Sequence, residues 1–272
     1  MEENRTKSAP RSRDGAQTIH RTAALLREIA AARGGGASLG ALASATGLVP
    51  STAHRMLQAL VKEELLAKDA ASRAYRPGRL LYELGLAAAP PFDLRKLCEP
   101  VLRRLAEATG DSTYLTVRSG EDALCLDRCE GSFPIKALPL EVGNRRPLGV
   151  GAGALAVLAA LPRPEREQAV LANAARYPRY RITPERVREE LQATDRRGYA
   201  VTTGRFVARY RGVAVPFGAG AAPAASLCIV AISERLKPER LERVAALLSR
   251  EARTLNGLLA QQAHPEPAGD WT

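Results

Sequence analysis

Apolar residues first recur at helical spacing where Ile19, Ala23, Leu26 and Ala30 share one face of a segment that opens near Thr18 and stops at Gly34-Gly35-Gly36. Ser38 is placed to cap a short second helix, in which Leu39, Leu42 and Ala43 share a face and Gly47 supplies the stop. Pro50 suits the start of a third helix, and Ala53, Met56, Leu57, Leu60 and Val61 form its apolar stripe. The opposite face carries Ser51, Thr52, His54, Arg55, Gln58 and Lys62. Two helices joined by a tight glycine-containing turn, the second polar at its exposed N-terminal end, describe a helix-turn-helix whose second helix enters the major groove of DNA. Leu65 to Lys68, a turn at Asp69 to Ser72, and Arg73 to Arg76 then predict a small hairpin with basic residues on its return strand, a wing. A short helix through Leu80, Leu81, Leu84 and Leu86 leads to Pro90-Pro91, where the first domain should end.

Beyond that point helices and strands mix without the regular alternation of a parallel doubly wound sheet. Val101, Leu102, Leu105 and Ala108 predict a helix stopped by Gly110, and Thr113–Arg118 and Ala123–Arg128 predict an antiparallel hairpin. A small-residue helix follows at Ala152 to Leu161, and another opens at Thr183-Pro184 and closes at Gly198. Gly212–Phe217 and Ser226–Ile232 look like buried strands, and Pro238 starts a last amphipathic helix through Leu241, Val244, Leu248, Leu255 and Leu259. The predicted fold is α+β: a winged helix-turn-helix at 17–78, a linker helix and linker at 79–92, and an antiparallel-sheet domain at 93–260. Residues 1–16, polar, basic and aperiodic, and 261–272 are expected to be disordered tails.

Composition adds a partner and removes several chemistries. The net charge of +11 over 272 residues points to a polyanion. That charge is spread, with nine Lys/Arg against five Asp/Glu in 17–90 and 27 against 19 in 91–260, so it does not by itself locate the binding surface. No apolar run reaches membrane-spanning length and the first twenty residues lack a signal-peptide core, so a cytoplasmic protein is expected. Its four cysteines, Cys98, Cys125, Cys129 and Cys228, are then expected to be reduced. Cys125 and Cys129 are four apart and read as small buried side chains sharing a strand face. The only histidines are His20, His54 and His264, so the second domain has no imidazole for zinc ligation or for Ser-His or Cys-His catalysis. No metal, no cofactor and no enzymatic activity are expected.

For DNA contact the predicted set is Ser38, Pro50, Ser51, Thr52, His54, Arg55, Gln58, Arg73 and Arg76. Hydroxyls and a helix terminus suit phosphates, and arginine suits a guanine edge. Two basic clusters stand out in the second domain. In RFVARYR, Arg205, Arg209 and Arg211 surround Phe206 and Tyr210 and suit the carboxylate of a small anion; the other is RYPRYR, Arg176 to Arg181.

The stretch SLGALASATGLVPSTAHRMLQALVKEELL, Ser38 to Leu66, resembles the helix-turn-helix of the IclR family of bacterial transcriptional regulators. Tyr75-Arg76-Pro77-Gly78, Leu126-Asp127-Arg128, Arg146-Pro147-Leu148, Arg197-Gly198-Tyr199 and Arg235-Leu236 are similar to family landmarks in the same order. The resemblance spans about Ile19 to Leu259. It implies a GAF-like effector domain, a homodimer or homotetramer on a palindromic operator, and a small carboxylate or aromatic acid as effector. It also implies a pocket lined by Ala152, Gly153, Thr202, Gly212, Cys228 and Val230, to which the basic-cluster reading adds Arg209 and Arg211. Thr202, Gly212 and Cys228-Ile229-Val230 depart from the family's acidic, cysteine and Ser-x-Ser positions, which favours a larger or more apolar effector than glyoxylate or pyruvate. The expected function is a DNA-binding regulator, most simply a repressor of a catabolic operon. A binding or catalytic protein using its helix-turn-helix only for assembly, and a non-specific DNA-associated protein, are the alternatives.

Overall fold

A computed structural model describes residues 14–32, 35–87, 94–203, 209–218 and 224–263. The chain divides into two compact units between Pro91 and Phe92. Unit one contains α1 (Asp14–Ala31), α2 (Leu39–Thr46), α3 (Pro50–Lys62), β1 (Leu66–Lys68), β2 (Tyr75–Pro77) and α4 (Arg79–Ala87). Helix α1 begins at Asp14, three residues before the boundary expected for the tail, and includes Gly15 in its first turn. Ser38 caps α2 through its hydroxyl, which accepts from the Ala41 amide, and Gly47 ends it with φ 66°, a left-handed value that a side chain would resist. The stripe of α3 buries Ala53, Leu57 and Leu60 against Leu25, Ile29, Leu42, Leu66 and Tyr75. Each fully buried leucine or isoleucine contributes about 1.5–3 kcal/mol, so this small core is enough to fix the turn between α2 and α3.

The wing differs from its predicted register. Its return strand is Tyr75–Pro77, pairing Lys68 with Tyr75 and Leu66 with Pro77, two residues later than expected at its start. The Asp69 carboxylate accepts from the Ser72 amide at 2.8 Å and the Ser72 hydroxyl at 2.7 Å, a local turn that extends the loop. Arg73 then takes φ 56° and belongs to the loop, leaving Arg76 as the basic residue on the strand.

Unit two is an antiparallel six-stranded sheet in the order β5-β4-β3-β8-β7-β6. Its strands are β3 (Ser112–Ser119), β4 (Asp122–Cys129), β5 (Arg145–Pro147), β6 (Ala200–Thr203), β7 (Tyr210–Phe217) and β8 (Ala225–Ile232). One face packs on α5 (Leu94–Thr109) and α9 (Pro238–Ala263) around Leu102, Leu115, Ile229 and Leu248. The other packs on α6 (Ala152–Ala159), α7 (Arg163–Asn173) and α8 (Pro184–Arg197) around Tyr114, Leu155, Tyr177 and Val187. Helix α9 runs to Ala263, past the expected end of the domain, because Gln261, Gln262 and Ala263 continue a strong helix-forming sequence.

A β-bulge corrects the expectation for the cysteines. Thr116 pairs with Cys125 but Leu115 pairs with Asp127, so Leu126 is an extra residue that inverts the alternation of β4. Cys125 therefore faces the α6 side, whereas Asp127 and Cys129 face α5, where Arg95 pairs with Asp127 at 3.2 Å. A buried tie closes the α5 side: Asp111 receives Arg235 at 2.7 Å and Arg240 at 2.6 Å, and both arginines also donate to the Thr109 carbonyl. Arg235 in addition stacks 3.8 Å over the Phe133 ring.

Candidate functional site

The first candidate surface is the outward face of α3. Ser51, His54, Arg55 and Gln58 are exposed and Thr52 is half-buried, while Ala53, Leu57 and Leu60 between them are buried. Val49 occupies the cap position without a side-chain cap, so the first amides of α3 keep their donors for an incoming anion. The Gln58 amide donates to the Tyr75 hydroxyl at 3.3 Å, which fixes Gln58 against the wing. Ser38 and Pro50 are exposed at the starts of α2 and α3. Arg73 and Arg76 are exposed on the wing; Arg76 donates to the Gly35 carbonyl at 3.3 Å and lies 3.7 Å from Asp69. Such exposed contacts are weak enough to yield to a phosphate.

The second candidate is a cavity of about 60 Å³ in unit two, between the N-terminus of α6 and the face of the sheet that carries Tyr114 and Thr116. Small residues create it. Gly151, at φ 96°, turns the chain into α6, and Ala152, Gly153 and Ala154 bring the helix close against the strands. A Cβ on Gly153 would stand 2.7 Å from the Thr116 hydroxyl, and one on Gly212 would stand 3.1 Å from both Ala152 Cβ and Thr202 Oγ1. Leu155 is the first α6 residue whose amide reaches back along the helix, to the Gly151 carbonyl at 2.8 Å.

Polar groups line this small-residue frame. The Tyr114 hydroxyl donates to the Ala137 carbonyl at 2.7 Å. The Arg146 guanidinium donates to the Pro139 carbonyl, and burial lowers its pKa without discharging it. Arg211 donates through Nη1 to the Leu236 carbonyl at 2.6 Å; its Nε–H is buried and unbonded among the described residues, a donor that an incoming acceptor would satisfy. Cys228 lines the wall, and burial, reinforced by the nearby Cys125, pushes its thiol up to about 12 against the opposing Gly153 amide. Cys125, on the same face, is pushed up to about 12 by burial as well. Both are neutral thiols and poor nucleophiles at ordinary pH.

Ala152, Gly153, Thr202, Arg211, Gly212, Cys228 and Val230 all line this cavity. Arg209 does not: it is exposed at φ 72°, and its carbonyl accepts from the Ser233 amide at 2.7 Å. Reversal of the backbone at that residue turns its side chain away from the face that Arg211 occupies. Arg205 and Phe206 lie outside the described residues. The RYPRYR cluster is structural in part, since Arg176 pairs with Asp122 at 2.7 Å and the buried Tyr177 hydroxyl donates to the Leu148 carbonyl. Sequence reasoning missed Tyr114, Thr116, Pro139, Leu140 and Arg146 as lining residues. The alternation of β3 could have placed Tyr114 and Thr116 on one face, but nothing local places Arg146 beside them.

Residues 18–70 match the family model described as the IclR helix-turn-helix domain, and residues 87–256 match the one described as the bacterial transcriptional regulator IclR C-terminal domain. The chain is 30% identical over 207 residues to the HTH-type transcriptional regulator KipR of Bacillus subtilis, covering 75% of this chain and 82% of that protein. It is 23% identical over 259 residues to the HTH-type transcriptional repressor AllR of Escherichia coli K12, covering 94% and 95%. Among solved structures, an IclR-family transcriptional regulator from Brucella abortus superposes with a TM-score of 0.72 at 22% identity, covering 91% and 94% of the two chains. An IclR homolog from Microbacterium hydrocarbonoxydans, complexed with 4-hydroxybenzoate, gives 0.67 at 23% identity, covering 88% and 98%.

Proposed function

Because the chain belongs to the IclR family of bacterial transcriptional regulators, we propose that it is a repressor of a catabolic operon in the cytoplasm, released from or held on its operator by a small organic acid. The observation that carries the DNA half is the polar outer face of α3, with Ser51, His54, Arg55 and Gln58 exposed on a helix whose inner face is packed. In this reading Arg55 reaches a base edge, while the first amides of α3 together with Ser38, Ser51, Thr52, Arg73 and Arg76 hold phosphates. The cavity beneath α6 takes the effector. Its small volume favours a compact acid, and an aromatic acid, such as the 4-hydroxybenzoate bound by the Microbacterium homolog, requires a wall to yield. Control of the operator requires the effector to favour one arrangement of the DNA-binding units over another.

A palindromic operator needs two copies, and α4 offers a face for the second one. None of its residues is buried, and Tyr82 and Leu86, one turn apart on the same side, are 69% and 61% exposed. Replacing Tyr82 and Leu86 by glutamate should shift the protein to monomer in sedimentation velocity and weaken operator binding. The decisive experiment is fluorescence-anisotropy titration of the DNA upstream of this gene against a scrambled duplex, at a fixed salt concentration, with and without acetate, benzoate and 4-hydroxybenzoate. Preference for the upstream DNA that changes with one of the acids is the expected result. Equal, weak binding to both duplexes overturns the regulator.

A further inference from the structure

We infer that Arg146 reads the charge of the effector, exchanging the Pro139 carbonyl of an overlying strap for an oxygen of the ligand; this rests on the effector reading above. Residues 130–144 connect β4 to β5, and their middle forms one wall of the cavity through Pro139 and Leu140. The strap is pinned at its two ends, by the Phe133 amide on the Gly110 carbonyl at 2.8 Å and the Gly143 amide on the Cys125 carbonyl at 2.9 Å. Between them, among the described residues, the backbone of 134–140 makes no hydrogen bond to other backbone. Side chains hold it instead. Tyr114 donates to Ala137, Arg146 to Pro139 and Arg128 to Leu140.

Two of those three holders, Tyr114 and Arg146, line the cavity themselves. Among the described residues the remaining walls are α6, the turn at Val150 and Gly151 that leads into it, and strands joined by backbone ladders. A cavity of about 60 Å³ is well below the several hundred Å³ typical of an occupied ligand pocket, so a ligand of more than a few atoms seated wholly beneath α6 displaces a wall, and among the described residues the strap is the wall held by side chains alone. Arg146 is itself fixed, because its backbone pairs with Ala123 across β4 and β5. A guanidinium already taken out of water, among Tyr114, Tyr180, Cys125 and Cys228, gains more from a carboxylate than from a neutral carbonyl. Capture of an acid by Arg146 thus drops one of the strap's ties and gives the ligand the room it needs, so charge recognition and opening are one event.

The test uses the full-length protein in two arms. In ligand-free hydrogen exchange read by mass spectrometry, Tyr114→Phe and Arg146→Gln should speed exchange of the hydrogen-bonded amides of Glu141, Gly143 and Asn144 at the end of the strap roughly fivefold to tenfold while β3 and β8 stay protected. In calorimetry with acetate, benzoate, 4-hydroxybenzoate and the neutral 4-hydroxybenzamide, Arg146→Gln should weaken binding of the acids roughly tenfold to hundredfold, leave the amide unchanged, and be partly rescued by Arg146→Lys. Tyr114→Phe, which releases the Ala137 carbonyl, should tighten acid binding, and Arg146→Lys carries the affinity arm if Arg146→Gln does not fold. Acid binding by the wild type with undiminished affinity in Arg146→Gln and Arg146→Lys overturns the inference alone, as does unchanged strap exchange in both variants. Failure of every acid to bind the wild type overturns the effector reading and this inference together.

Discussion

A single methyl group placed on Gly212 separates the cavity from the rest of the protein. Gly212 sits on β7 between Thr202 of β6 and Val230 of β8, and its backbone is not in the left-handed region, so alanine meets no conformational strain there. The new Cβ would lie 3.1 Å from Ala152 Cβ, 3.1 Å from Thr202 Oγ1 and 3.7 Å from Val230 Cγ2. Two such tight contacts cost about 1–3 kcal/mol of overpacking, and the reduced freedom of the unfolded chain returns about 0.4–1 kcal/mol. The net loss is about 0–2.5 kcal/mol, which in a domain of this size lowers the melting temperature by roughly 2–4 °C per kcal/mol. The effect on ligand is larger in proportion. A volume of about 60 Å³ offers room for only a few water-sized groups at roughly 10–15 Å³ each, and the methyl removes one. Gly212→Ala should therefore weaken whichever acid binds the wild type by roughly tenfold in calorimetry, equal to about 1.4 kcal/mol. Ligand-free operator affinity should be unchanged, because α3 lies in the other unit. Wild-type affinity for the acid in a folded Gly212→Ala protein would refute the assignment of the cavity as the effector site.

Other perturbations test the remaining parts. Arg55→Ala should cost about 1–3 kcal/mol of operator affinity with no change in melting temperature, since Arg55 is exposed and off the packed stripe; undiminished operator affinity would misplace the readout surface. Asp111→Asn should lower stability by about 3–5 kcal/mol in urea titration, because it leaves Arg235 and Arg240 without their buried carboxylate; a loss under about 1 kcal/mol would show that the cluster is solvated. Burial pushes the thiols of Cys98, Cys125 and Cys228 up to about 12 from an ordinary 9.0. Folded and unfolded chains both hold these protons below pH 9, and only the unfolded chain releases them as pH rises from 9 towards 12, so stability should fall across that window. Native iodoacetamide labelling at pH 8 should reach the half-exposed Cys129 before the other three, and early labelling of Cys228 would contradict its burial in the cavity wall.

The helix-turn-helix was legible because its signals are local. Ser38 caps, Gly47 reverses and Pro50 restarts the chain within a few residues, and the stripe from Ala53 to Leu60 has no competing reading. The shifted wing strand traces to the same kind of local chemistry, since the Asp69–Ser72 turn is followed by Arg73 in the left-handed region and the strand resumes only at Tyr75, two residues later than expected. The elements missed by pattern reading lack a pattern. Strand β5 is Arg-Arg-Pro, β6 has four residues, and α7 is mostly polar with only Ala169, Val170 and Asn173 buried.

The cavity was half legible for a physical reason. Thr202, Gly212, Cys228 and Val230 are brought together by strand pairing, Thr202 with Gly212 and Gly212 with Val230, and the family resemblance carried that register. Arg209 and Arg211 looked equivalent in sequence, yet the left-handed backbone at 209 turns one outward and leaves the other on the cavity wall. In the sequence Arg146 stands out only as part of the family landmark Arg146-Pro147-Leu148. It faces inward because the β4–β5 register sets it against Ala123, on the side where the bulge at Leu126 also places Cys125. Without that extra residue the face of β4 beside Tyr114 would carry Asp127, and a carboxylate there would compensate the guanidinium and repel an acid. The bulge sends Asp127 to Arg95 on the opposite face and leaves neutral thiols and two tyrosines, Tyr114 and Tyr180, around Arg146. Loss of the family's polar positions at 202, 212 and 228 therefore does not make the cavity apolar: Arg146 of β5 and Arg211 of β7 both line it, and in the proposed reading their guanidinium charge, in surroundings of low polarity, selects an acid.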